Sequence, residues 1–178
     1  MSKLRQTILN KNVVLVGHMG SGKSSIGKSL AKKLHLKFID SDEEIEVIAG
    51  MKISKIFELK GEEYFRLLEK KTIMKILNKE NSIIAIGGGA FEHASLRNYI
   101  LKKCSCIWLK CNINVLVNRC SLKMNRPLLK GKNIRQELIS LDKVRRNNYA
   151  RAHYSLNVSN KKKFQIVKHL SDIIKDYD

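Results

Sequence analysis

With 178 residues, 43% of them hydrophobic, and four cysteines, the chain can bury a sizeable core without disulfide staples, which excludes the small stapled secreted scaffolds. A formal net charge of +19 leaves open a nucleic-acid or membrane partner or a lysine-rich solvated surface with extra arginines for anionic substrates. The lysines are scattered through every segment and aromatics make up only 6%, which favours the solvated surface, and no run approaches the roughly 20 apolar residues of a membrane helix.

In chain order, Asn12–Val16 (NVVLV) reads as a short apolar strand. Gly17–Ser24 (GHMGSGKS) follows it and fits G-x-x-x-x-G-K-[ST], the phosphate-binding loop. The chemistry explains the composition. Glycines let backbone N–H groups converge on phosphate oxygens, and the helix that follows presents its positive end. Lys23 supplies a mobile charge and Ser24 a hydroxyl for Mg2+. Gly20, Ser21, Gly22, Lys23, Ser24 and Ser25 are the expected nucleotide contacts.

Lys23–Leu34 is predicted helical from Ile26, Leu30 and Leu34. Residues 36–40 form a second strand that ends in acid, and Ser41 is the expected cap of a helix that opens with Asp42, Glu43 and Glu44 and stops at Gly50. Two further helices, Ile53–Leu59 and Glu62–Leu77, flank Gly61. SIIAI at 82–86 is the third strand and runs into Gly87, Gly88 and Gly89. A helix over 93–102 leads to the strand SCIWL, and 113–122 is helical. Residues 123–132, with the only proline, form a loop before a long basic helix over 133–151. A strand at 155–159 and a helix over 164–174 close the pattern.

Strand–helix alternation with uniformly apolar strands predicts an α/β fold of the P-loop NTPase kind: a central five-stranded parallel sheet flanked by helices. One domain over 1–178 is expected. In such a sheet ligands bind beyond the carboxyl ends of the strands. Asp40 and Asp42 stand there, where one carboxylate can steady Mg2+ through water while the other grips an acceptor hydroxyl; helix capping explains Asp42 equally well by itself. Cys104, Cys106, Cys111 and Cys120 show no metal-ligand spacing, and no secretory core precedes the first strand. Free thiols fit a reducing cytoplasm.

These motifs resemble the shikimate kinases in order and spacing over nearly the whole chain: GxMGxGKS at 17–24, FxDxDxxIE at 38–46, IxxIFxxxGExxFRxxE at 53–69, the glycine triplet, RPLL at 126–129 and R-x-x-Y at 146–149. The resemblance implies an ATP-dependent kinase that phosphorylates the 3-hydroxyl of shikimate on the route to chorismate and the aromatic amino acids. Its substrate-binding helices would span about 40–70 and its lid about 121–133. It implies that Asp42 binds shikimate hydroxyls and acts as base, that Asp40 sits near Mg2+, and that Arg66 and Arg146 clamp the carboxylate. Gly87, Gly88 and Gly89 would contact the substrate through the backbone, Phe57 and Phe65 would wall its ring, and Arg119 would lie against adenine. Arg126 would swing in over the phosphates with the lid. The expected partners are ATP and shikimate, with neither nucleic acid nor membrane, for a cytoplasmic monomer. Three departures stand out. Arg145 is a rival to Arg146, the lid has KMN before Arg126 in place of the glycines often seen there, and His18 replaces an apolar or aromatic residue. The nearest rival activity is that of another small-molecule kinase of this architecture, for gluconate or a nucleoside monophosphate.

Overall fold

The computed structural model describes residues 11–79, 81–122 and 133–175; Arg126 and nearly all of the predicted lid lie outside them. The strands are β1 (Val13–Val16), β2 (Lys37–Asp40), β3 (Ser82–Ala85), β4 (Ser105–Lys110) and β5 (Tyr154–Asn157). Among the described residues the helices are α1 (Lys23–Leu34), α2 (Ser41–Ala49), α3 (Ile53–Leu77), α4 (Ala94–Lys103), α5 (Ile113–Ser121), α6 (Ile134–Tyr149) and α7 (Lys163–Lys175), with a 3-10 turn at Ala90–Glu92. The break predicted at Gly61 is a kink inside α3, where the backbone leaves helical angles at φ 78°. Element boundaries otherwise differ from the predicted ones by one or two residues.

The five strands are all parallel, in the order β2-β3-β1-β4-β5. Alternate side chains point to opposite faces, and both faces are covered. Val14, Val16, Ile84, Cys106 and Trp108 pack with α3 and α4 residues on one side. Val13, Leu15, Ile83, Ile107 and Leu109 pack with residues of α1 and α7 on the other. This is why the strands read as unbroken apolar runs rather than alternating ones.

Strand order positions the site. β1 separates β3 from β4, so the loop after β1 has the end of β3 on one flank and the end of β4 on the other. β2 lies outside β3, and the acids at its end therefore face the glycine triplet. The ladder continues past the strands, with Ile86 N–H donating to Leu15 O at 3.3 Å. No helix of the described residues is long and apolar enough to cross a membrane.

Candidate active site

The loop after β1 opens α1. Gly22 is the N-cap, at φ 98°, a left-handed backbone that side-chain-bearing residues avoid. Lys23 folds back over the loop and donates to Gly17 O at 2.8 Å and His18 O at 3.1 Å. Ser24 and Ser25 are exposed at the helix start. Arg119, from α5, donates to Gly20 O at 3.2 Å, which brings it against the same loop.

At the end of β2 the cap is Asp40 rather than the predicted Ser41: its carboxylate accepts from Asp42 N–H at 3.0 Å. The physical reason is register. β2 runs to Asp40, so Ser41 is already the first helical residue, and its hydroxyl instead accepts from Gly87 N–H at 3.0 Å. Capping thus accounts for Asp40 and leaves Asp42 free for other work. Asp42's only side-chain bond described is a long one from Ser41 Oγ at 3.5 Å. The recess around it penalises a charge there, and neighbouring Asp40 adds repulsion, so its carboxyl is pushed up to about 6, with Lys23 acting the other way. Water reaches Asp42 in the open recess, which tempers this rise; a substrate that displaced the water would strengthen it.

The glycine triplet is where the charged groups converge. A β-carbon on Gly87 would stand 2.6 Å from Glu69 Oε1 and 3.0 Å from Asp42 Oδ1. On Gly88 it would stand 3.3 Å from Arg145 Nη1 and 3.5 Å from Gly17 O. On Gly89 it would stand 2.8 Å from Arg66 Nη1. Three successive positions without side chains let two carboxylates, two guanidiniums and the phosphate loop crowd onto one stretch of backbone. Tyr149, wholly buried beneath it, donates its hydroxyl to Gly88 O and fixes the stretch from below.

Arg66 and the residues around it sit on the second arm of α3. Its guanidinium donates to Glu69 Oε2 at 2.9 Å and to Glu62 Oε1 at 3.0 and 3.2 Å, and it lies over the Phe65 ring at 5.2 Å. Phe57 and Phe65 form a ring pair with centroids 4.6 Å apart, packed with Ile45 and Ile56. Glu69 is 1% exposed; burial raises its pKa while Arg66 lowers it. Sequence reasoning quoted Glu69 within a motif and gave it no role. Its spacing of three from Arg66, a helical neighbour, was the signal.

The two candidate arginines of α6 part company. Arg145 is buried and abuts Gly88. Arg146 is exposed and pairs with Asp142, with Nε to Oδ2 at 2.8 Å. It lines a separate hollow of about 250 Å3 with His18, Trp108 and Lys110, which includes none of Asp42, Arg66, Glu69 or Arg145. Adjacent helical residues point about 100° apart, and the buried Tyr149 turns the Arg145 face inward. The structure therefore brings Asp42, Arg66, Gly87, Gly88 and Gly89 together with Arg145, not with Arg146.

Among the described residues no three histidine, cysteine or acidic side chains form a protein-only metal cage. The Ser24 hydroxyl at the start of α1 and the Asp40 carboxylate at the end of β2 are hard oxygens of the kind that suits a Mg2+ ion arriving on phosphate.

A shikimate kinase family model matches residues 19–175. The chain is 42% identical over 165 residues to a shikimate kinase of Sulfurihydrogenibium sp. (strain YO3AOP1), covering 93% of this chain and 98% of that one. It is 42% identical over 142 residues to one of Zymomonas mobilis, covering 80% and 81%. Among solved structures it is similar to shikimate kinase from Acinetobacter baumannii in complex with shikimate, at TM-score 0.89 and 32% identity, covering 98% of this chain and 97% of that one.

Proposed function

The chain belongs to the shikimate kinase family, and from that premise we infer how its residues move the γ-phosphate of ATP to the 3-hydroxyl of shikimate, giving shikimate 3-phosphate and ADP. Phosphoryl transfer asks a protein for alignment and charge compensation more than for covalent chemistry. One observation carries the assignment of roles: consecutive glycines meet Asp42, Arg145 and Arg66 in turn, and the middle one abuts the phosphate loop.

In this reading Arg66 and Arg145 grip the substrate carboxylate in charge-assisted forks. The triplet offers backbone N–H groups, Gly88 first among them, and Phe57 and Phe65 wall the ring. Glu69 holds Arg66 in place. Asp42 faces the acceptor hydroxyl and takes its proton. The hydroxyl oxygen then bonds to the γ-phosphorus, the bond to the β–γ bridging oxygen breaks, and that electron pair leaves with ADP. A carboxyl near 6 is ionised at neutral pH yet basic enough to assist. Lys23 leaves the carbonyls of Gly17 and His18 for the β- and γ-phosphates, and Gly20, Ser21, Gly22, Ser24 and Ser25 line the same cradle. Bound Mg2+ would neutralise phosphate charge, held by Ser24 and, through water, by Asp40. Arg119 would lie against adenine, and Arg126 would add a charge from the lid. We further infer one kinase domain over 1–178, acting as a cytoplasmic monomer; its four cysteines are free thiols, as a reducing compartment requires.

The test is ADP release with shikimate, gluconate and CMP offered separately. Turnover with shikimate alone is expected; turnover with gluconate or CMP and none with shikimate overturns the reading.

A further inference from the structure

His18, in the phosphate loop, is tied to a residue 124 positions away. Its Nε2 lies 3.0 Å from Asp142 Oδ1, and the ring is 3% exposed. A carboxylate oxygen can only accept, so Nε2 carries the proton, and Nδ1 is left bare, without a partner among the described residues. The ring also meets Tyr149 edge-on, with centroids 5.1 Å apart. On α6, Asp142, Arg145 and Tyr149 stand at i, i+3 and i+7, which is one stripe of a helix. That stripe touches His18 at its first residue, Gly88 at its second and both at its third.

The phosphate loop is fixed by β1 before it and α1 after it. α6 is anchored by buried Leu138 and Tyr149, with Arg145 between them, and by Asn148, which donates to Glu92 at 2.8 Å. Asp142 sits between the same anchors, one turn before Arg145, and His18 is its bond to the rigid loop. Arg146 also pairs with Asp142, but it is exposed and lies on the same helix, so it fixes nothing between bodies.

We propose that His18 and Asp142 are a positioning pair that sets α6 against the phosphate loop and so aims Arg145 at the shikimate carboxylate. The inference rests on the shikimate reading above. Neither residue touches the reacting atoms. Loss of the tie loosens a grip made equally in ground and transition states, so the Michaelis constant for shikimate rises while kcat holds.

The test compares His18→Gln with His18→Asn. Glutamine places its amide nitrogen about as far out as Nε2 and keeps the bond to Asp142; asparagine is too short. His18→Asn is expected to raise the shikimate KM about five- to tenfold, the effect of losing one charge-assisted hydrogen bond in part, with kcat and the ATP KM within about twofold. His18→Gln should stay near the parent. Asp142→Leu should match His18→Asn, and the double variant should be no worse than either single one. Calorimetric shikimate affinity in the presence of ADP gives a second readout that needs no turnover. Unchanged shikimate KM and affinity in His18→Asn, multiplied effects in the double variant, or equal loss in His18→Gln would overturn the proposal. If His18→Asn does not fold, Asp142→Leu and His18→Gln still decide it. Failure of the parent protein to phosphorylate shikimate would instead sink the functional reading, independently of the variants.

Discussion

Asp42 and Glu69 press on the same glycine: their oxygens lie 3.0 and 2.6 Å from the point where a β-carbon on Gly87 would stand. Glu69 is buried and held by Arg66 at 2.9 Å, so it has little freedom to retreat. Gly87→Ala is therefore expected to displace Glu69, drag Arg66 with it and crowd Asp42. The outcome should be a loss of about tenfold or more in kcat/KM for shikimate, on the scale of one misplaced charged contact, with the far-ultraviolet circular dichroism unchanged. Parent-like kinetics would show that the convergence has no catalytic consequence.

Asp42→Asn keeps the shape of the side chain and removes the proposed base. We expect kcat to fall about 10²- to 10⁴-fold, with nucleotide binding retained by titration. The same variant should be at least as stable as the parent at neutral pH, because it removes a carboxylate whose ionised form the recess and Asp40 disfavour. Turnover near the parent's would strip Asp42 of its role.

The raised carboxyl of Asp42 sets a pH dependence. Ionisation near 6 predicts that kcat/KM for shikimate climbs as pH rises through that value and levels off above it. Stability moves the opposite way. A folded value above the unfolded 3.8 means the folded state binds more protons, so this group's contribution is full below the unfolded value and is lost as pH rises through the folded one. Solvent access to Asp42 keeps that stability change small. A flat rate profile between pH 5 and 7, which brackets roughly one unit on each side of the ionisation, would contradict the assignment.

Arg145 and Arg146 offer a matched pair. Arg145→Lys should raise the shikimate KM about tenfold, because an ammonium cannot reproduce the planar fork on a carboxylate. Arg146→Lys, on an exposed side chain engaged with Asp142, should leave it within about twofold, as surface pairs contribute little. The reverse ranking would restore Arg146 to the carboxylate.

Much of this protein is written locally. The phosphate loop is legible because its requirements fall within eight residues: glycines free to take left-handed angles, a lysine, a hydroxyl, a strand before and a helix after. The parallel sheet is legible because burial on both faces leaves strands uniformly apolar. Asp42 and Arg66 were legible as candidates from motif spacing, and Glu69 was visible three residues from Arg66 yet given no role. The cap was misread because the choice between Asp40 and Ser41 turns on where β2 lets go, a matter of one residue.

By itself, then, the sequence determined the nucleotide cradle, the parallel layers and the residue types of the acceptor site, since those follow from backbone angles, periodicity and charge over a few residues. Only the tertiary structure decided which arginine abuts the glycine triplet. At about 100° per residue, Arg145 lies about 20° from buried Leu138 and about 40° from buried Tyr149 around the helix, whereas Arg146 lies about 80° and about 60° from them. The roll of α6 is set by the surfaces it packs on, among them His18 across 124 residues, and no local pattern carries that distance.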